Sequence, residues 1–268
     1  PYTTLFRSVC MEIKKVTQVH FSPSGTTRKT AEALSESFGL PVDDADLLHD
    51  PSVTRRFGAD KLVIFCLPVF AGRLPEFCPK LLSQFTGSDT PALAVVVYGN
   101  RDYEDALLEL ADLLKSRRFV LAGAAAVVAQ HSIFPAVAAG RPDAADIEKL
   151  HNFAASAAEK IRLAAGPEDL LEFPIPGNHP YRKLTNVPMH PRATSACIQC
   201  GTCASVCPTG AIPLENGRIT DRSLCISCTA CIKACPVDAR GFGGPVFAIG
   251  SKLFAHKCAQ PRQPEFFL

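Results

Sequence analysis

Apolar and polar positions alternate between two periods over the first 165 residues. Val16–Phe21 reads as a strand, and Thr27–Phe38 places Ala31, Leu34 and Phe38 on one helical face. Leu62–Leu67 and Ala92–Tyr98 are continuous apolar runs, as strands buried on both faces require. Between and after them, the pattern predicts helices over Pro75–Phe85, with Pro at its start, and over Tyr103–Ser116. In the second, Ala106, Leu107, Leu110, Leu113 and Leu114 form the stripe. Phe119–Val128 is the last strong strand and Pro142–Ala165 a long Ala-rich helix; Pro41–Leu47 is a weaker strand. Five strands alternating with helices predict an α/β domain, a doubly wound parallel five-stranded sheet wrapped on both faces.

Beyond residue 165 the periodicity stops. Phe173-Pro174-Ile175-Pro176-Gly177-Asn178-His179-Pro180, with Pro188 and Pro191, reads as an extended, semi-rigid connector. Two cysteine runs follow: Cys197-x-x-Cys200-x-x-Cys203-x-x-x-Cys207-Pro208, then Cys225-x-x-Cys228-x-x-Cys231-x-x-x-Cys235-Pro236. All four cysteines repeat at an offset of 28 residues, so the unit is duplicated. Three thiolates on a tight loop take three corners of an iron–sulfur cube, and the cysteine before Pro ligates the other cluster. Cys197, Cys200, Cys203 and Cys235 are thus one expected ligand set; Cys225, Cys228, Cys231 and Cys207 are the other. Zinc sites use two CxxC pairs or Cys/His mixtures, and nothing in the chain marks it for secretion and disulfides. The pattern resembles the bacterial-type two-cluster ferredoxins, a small α+β domain.

Composition narrows the class further. Hydrophobic residues are 47% and charged residues 20% of the 268, ordinary for a globular protein. A net charge of +2 is too small to argue for nucleic acid. Residues 1–166 carry 18 basic and 19 acidic side chains, and residues 167–268 carry 10 and 7. The longest apolar stretch, Phe119–Ala129, is too short for a membrane span. Of the 12 cysteines, Cys10, Cys66, Cys78 and Cys258 lie outside the runs. Cys66 reads as a small buried hydrophobe and Cys258 as a non-ligand. Free thiols beside oxygen-sensitive clusters point to a reducing cytoplasm, as in an anaerobe. Pro1-Tyr2-Thr3-Thr4-Leu5-Phe6-Arg7-Ser8 has no apolar leader core, and residues 1–10 are read as lying outside the fold.

Three strand ends carry candidate ligand loops. Ser22-Pro23-Ser24-Gly25-Thr26-Thr27 offers hydroxyls and backbone N–H groups at a helix N-terminus, an anion site or simply a cap. Pro68-Val69-Phe70-Ala71-Gly72-Arg73-Leu74-Pro75 and Tyr98-Gly99-Asn100-Arg101-Asp102-Tyr103 offer glycines for close approach and aromatics for stacking. Together these loops resemble those of flavodoxins over about residues 13–165. The resemblance implies FMN, with Ser22, Ser24, Gly25, Thr26 and Thr27 about the phosphate. Phe70, Ala71, Gly72, Tyr98, Gly99, Asn100 and Tyr103 would lie near the isoalloxazine. Asn100-Arg101 departs from the usual Gly-Asp. Arg73 and Arg101 would lie near the flavin, be solvated, or steer a partner. Gly241-Phe242-Gly243-Gly244 precedes Pro245 and reads as a turn, so direct use of a nicotinamide cofactor lacks support. His20 and His131 read as structural or exposed, and no catalytic residue is assigned.

Residues 11–268 resemble a bacterial and archaeal family fusing a flavodoxin-like domain to a two-cluster ferredoxin. The Pro68-x-x-Ala71-Gly72-Arg73-x-Pro75 loop, the Tyr98–Arg101 loop and the terminal Phe266-Phe267-Leu268 carry that match. The expected division is 11–166 flavodoxin-like and FMN-binding, 167–193 linker, 194–240 ferredoxin-type with two [4Fe–4S] clusters, and 241–268 a docking tail. The resemblance implies an electron-transfer protein working with redox partner proteins, with no membrane span and no nucleic acid. A flavin-dependent reductase fed by its own clusters, and a carrier whose flavodoxin-like half binds partners without flavin, remain alternatives.

Overall fold

The computed structural model describes residues 11–170, 172–185 and 187–268; Cys10 and the rest of residues 1–10 lie outside them. The strands are β1 (Lys15–His20), β2 (Val42–Asp46), β3 (Lys61–Pro68), β4 (Thr90–Tyr98), β5 (Phe119–Val128) and β6 (Glu265–Phe267). The helices are α1 (Thr26–Glu36), α2 (Cys78–Leu82), α3 (Ala106–Ser116), α4 (Ala144–Leu163), α5 (Thr202–Ser205), α6 (Ala230–Lys233) and α7 (Pro245–Lys257). In space the strands run β2-β1-β3-β4-β5-β6, and β1 to β5 pair in parallel.

The period of two along each strand divides the core. Val63, Phe65 and Leu67 of β3 face α3, where Leu107, Leu110 and Leu114 complete one cluster. Leu62, Ile64 and Cys66 face the other way, onto Leu34 of α1 and Phe153 and Ile161 of α4. The two helix layers therefore cover both faces of the sheet, as expected from unbroken apolar runs.

Two expectations change. The helix expected over Pro75–Phe85 is only α2, residues 78–82. The helix starts at the Cys78-Pro79 step, not at Pro75, and Phe85–Thr86 is drawn into a short parallel ladder with Arg55–Arg56. The sheet also has a sixth strand. The C-terminal residues add antiparallel to the free edge of β5, with Phe266 opposite Ala125. Phe266 stacks on Phe153 at 5.0 Å on one face, while Phe267 joins the core on the other. The tail thus covers a sheet edge and splits its two rings between both cores.

A clamp from the β4–α3 loop fixes the tail's approach. Asn100 has φ of 60° and is buried. Its amide nitrogen donates to Cys258 O at 2.8 Å and Gln260 O at 3.0 Å, and its Oδ1 accepts from Arg262 N at 2.9 Å. Beside it, the Tyr103 hydroxyl donates to Glu265 Oε2 at 2.9 Å. The connector is fixed similarly: Asp105 accepts from the backbone N–H groups of Asn178 at 2.9 Å and Arg182 at 2.7 Å. Phe173 and Ile175 pack on the core beneath α3.

Asn100→Ala removes three hydrogen bonds and strands buried backbone groups. We expect a loss of about 1–3 kcal/mol, read as a lower denaturation midpoint and faster amide exchange at residues 265–267.

Candidate redox site

The cysteine segment is built twice at the backbone level. Gln199 and Ser227 have φ of 55° and 56°; Gly201 and Thr229 have 79° and 71°. These pairs share the cysteines' offset, and each second member immediately precedes α5 or α6. The left-handed turns fold each run back on itself so that successive thiols face a common space.

One enclosed space is lined by Cys197, Cys200, Cys203 and Cys235, with Gly217, Pro236 and Arg240 around it. The fourth thiol comes from the second run. Conversely, Cys207 of the first run acts electrostatically on Cys225, Cys228 and Cys231. The structure thus brings the first expected set, with its crossed member, around one space, and packs Cys207 with Cys231 of the second. Among the described residues no three His, Cys, Asp or Glu side chains gather at single-ion distance. A four-iron cube instead spreads its thiolates over four metal atoms.

The sulfurs are surrounded by donors. The Ala239 N–H donates to Cys235 Sγ at 3.2 Å, and Arg240 reaches Cys203 Sγ at 3.7 Å. Thr202 holds the exposed Cys200 thiol below its ordinary range through a hydroxyl contact at 3.3 Å. In the second set, burial raises the thiols of Cys225 and Cys231 and pushes Cys228 up to about 12, with neighbouring cysteines adding repulsion. Buried and half-buried thiols held close together are hard to ionise unless a positive group joins them. Metal ligation deprotonates such thiols outright, so the donor set fits an iron–sulfur cluster.

The strand-end loops form a second cavity system. A small cavity is lined by Ser24, Thr26, Thr27, Phe70, Tyr98, Gly99 and His131. α1 starts here behind Gly25 (φ 90°) with no side-chain cap at that residue. Ser22 faces elsewhere: its Oγ accepts from the Arg28 N–H at 2.9 Å. A larger cavity of about 440 Å³ adjoins it across Val69, Phe70, His131 and Ser132. Its walls include Ala71, Leu74, Arg101 and Phe134 from one region, and Met189, Cys225, Ser227 and Phe254 from the other. That volume lies within the range of small-molecule sites. Hydroxyls at a helix start, opening into an apolar chamber, suit a phosphate joined to a flat ring.

Several expected contacts lie elsewhere. Asn100 and Tyr103 are committed to the tail, and Gly72 faces Glu104, which a Cβ there would meet at 1.6 Å. Arg73 forms a two-point ion pair with buried Glu109, at 2.8 and 2.9 Å, and lies over the Tyr181 ring at 4.7 Å. It anchors the connector, whereas Arg101 borders the larger cavity while paired to Glu104. Cys258 is buried against Ile133, Phe134 and Val137.

Residues 196–239 match the model of a family described as a 4Fe-4S dicluster domain. The order β2-β1-β3-β4-β5 is that of flavodoxin-like sheets. The chain joins a flavodoxin-like fold to a ferredoxin-type 4Fe–4S domain. A flavodoxin from Streptococcus pneumoniae is 19% identical, over 55% of this chain and 99% of its own, with a TM-score of 0.40. Flavodoxin 2 from Bacillus cereus is 18% identical over 55% and 99%, also with a TM-score of 0.40. An NADH:FMN oxidoreductase, EMOB, in its apo form, is 16% identical over 63% and 97%, with a TM-score of 0.38. No curated protein matches the chain. Among the described residues no helix is long and apolar enough to cross a membrane.

His131, read from the sequence as structural or exposed, lies at the cavities. The ring lies over Gly99, where a Cβ would meet it at 2.6 Å, and borders both flavodoxin-side cavities. Its Nδ1 accepts from the N–H groups of Ile133 and Phe134, each at 3.2 Å. The neutral ring therefore carries its proton on Nε2. Burial, then the Arg101 charge, lowers its pKa to about 4. A depressed histidine stabilises the fold fully above the unfolded value near 6.5, and that stabilisation is lost as pH falls toward about 4. We expect nitrogen-15 NMR at pH 6 to show neutral His131 protonated at Nε2. The stability difference between wild type and H131Q should shrink as pH is lowered from 6.5 to 4.

Proposed function

We propose that this protein is an electron-transfer iron–sulfur flavoprotein that passes low-potential electrons between two [4Fe–4S] clusters and FMN within one chain. The observation that carries it is the shared cavity. The second cysteine set contributes Cys225 to the chamber that adjoins the Ser24–Thr27 hydroxyls, and Cys228 to the smaller cavity beside it. An electron leaving that set meets the flavin chamber directly, across a wall of apolar side chains.

The division of labour follows from the residues. Cys197, Cys200, Cys203 and Cys235 hold the outer cluster, and Cys225, Cys228, Cys231 and Cys207 the inner one. Ser24, Gly25, Thr26 and Thr27 receive the phosphate through hydroxyls and helix N–H groups. Phe70, Ala71, Tyr98 and Gly99 border the ring, with His131 offering a neutral N–H at its edge. Bound FMN takes one or two electrons and each cluster takes one, so the assembly links one-electron and two-electron chemistry. Phe134, Phe247 and Phe254, stacked at 4.5–5.8 Å, hold the ferredoxin-type region over the strand ends and exclude water.

A reductase would offer its substrate this same chamber, which the flavin ring needs first. That favours the carrier over the flavin-dependent reductase. The hydroxyls of Ser24, Thr26 and Thr27 beside an open apolar chamber favour retention of flavin over a carrier without it. Redox partner proteins in a reducing cytoplasm complete the reading.

Anaerobically purified protein should hold about eight iron atoms and one FMN per chain. Replacing Thr26 and Thr27 by glutamate should abolish flavin binding and leave iron unchanged, measured by iron and flavin analysis. Stoichiometric zinc without iron, or unchanged FMN affinity in the double variant, would count against the assignment.

Stopped-flow mixing with a low-potential donor should show cluster reduction first and flavin reduction second. The second rate should be independent of protein concentration. A rate proportional to concentration would mean exchange between molecules.

A further inference from the structure

Arg240 sits between the two cysteine sets and is only 4% exposed. It belongs to the short antiparallel ladder that pairs Arg240–Gly241 with Arg192–Ala193, so its backbone is fixed. One guanidinium nitrogen donates to Gly217 O and reaches Cys203 Sγ at 3.7 Å. The other donates to Thr220 Oγ1 at 2.5 Å, and Nε is buried with no partner. The charge of the same guanidinium favours the thiolates of Cys231 and Cys225. Cys203 and Cys231 pack together in one buried cluster with Cys207.

Among the described residues no carboxylate is paired with Arg240; its partners are a carbonyl, a hydroxyl and sulfur. A buried, permanently charged guanidinium without a counter-ion costs several kcal/mol. The counter-charge at hand is the thiolates, one set on each side. Each set, bound to a four-iron cluster, is negative, and a further electron makes it more so. Hydrogen bonds to sulfur and local charge are among the factors that set such potentials.

We propose that Arg240 is a positioning residue whose single buried charge is shared by both clusters and raises the reduction potential of each. This rests on the two-cluster reading above. One cation serving two sets keeps their potentials close, so an electron moves between them with little loss in either direction.

The test is an EPR-monitored potentiometric titration of the anaerobically purified full chain, with dithionite as electron source and iron content measured in parallel. Wild-type protein lacking iron would overturn the cluster reading itself, separately from this proposal. In R240Q, iron should stay at the wild-type level. The reduction equilibrium of each cluster should fall at least tenfold, about 59 mV per one-electron step. Wild-type potential at either cluster in iron-loaded R240Q would overturn the shared role. Should R240Q lose iron, R240K decides. Lysine keeps the charge, so iron should be held and both potentials should stay well within about 59 mV of wild type. A fall of about 59 mV or more at both clusters in R240K, or loss of iron from both variants, would overturn the proposal.

Discussion

The arrangement depends on how the two ends of the ferredoxin-type region are fastened to the flavodoxin-like sheet. One end is held by Asp105, Asp112 and Arg73, which grip the connector at Asn178, Tyr181 and Arg182. The other is held by β6, which completes the sheet edge, and by Asn100, which captures three backbone groups of the tail. With both ends tied, the intervening segment has little freedom to leave the strand ends. Stacking of Phe134 on Phe254 then orients it, and the flavin chamber closes between the two regions.

Fastening of this kind changes the physics of electron transfer. A tethered but mobile ferredoxin would search for its acceptor, and ordering it would cost entropy in each encounter. Here that cost is met on folding, by packing Phe266 and Phe267 against the two cores and by the hydrogen bonds of Asn100 and Tyr103 to the tail. The same closure shields the chamber, where the low dielectric strengthens each remaining charge and dipole. Neutral His131 and paired Arg101 are consistent with that: a free charge in such a place would be expensive.

Much of this was legible in the sequence, for reasons tied to particular residues. The runs at 62–67, 92–98 and 119–128 have no polar interruption, and only strands covered on both faces tolerate that. The 4Fe–4S dicluster domain was legible because spacing and the trailing prolines repeat together. What escaped was set by tertiary partners. Asn100 and Tyr103 read as ring contacts because their loop stands at a strand end, yet their polar groups are taken by the tail more than 150 residues away. Arg73 was open between a flavin-side, a solvated and a partner-steering role; Glu109, on the facing helix, claims it. The terminal phenylalanines gave a docking signal, but a three-residue strand whose partner is so remote has no local pattern. His131 carried no motif; only its place over Gly99 gives it significance.

The two redox regions handle charge in opposite ways, and the contrast explains their placement. The flavodoxin-like side neutralises its ionic groups within itself: Arg73 on Glu109, Arg101 on Glu104, Arg141 on Asp146. What remains at the chamber is mostly apolar surface and neutral donors, with the carboxylate of Glu76 at its margin. The ferredoxin-type side does the reverse at Arg240, leaving one cation unbalanced by any carboxylate and surrounding it with sulfur. A charge kept there acts over a few ångströms on both sets but is remote from solvent ions, so salt screens it poorly. Driving force is thus adjusted among the sulfurs, while the chamber fixes distance and excludes water. Separating those tasks lets the β4–α3 loop carry a docking clamp without disturbing the charges that govern the electron's path.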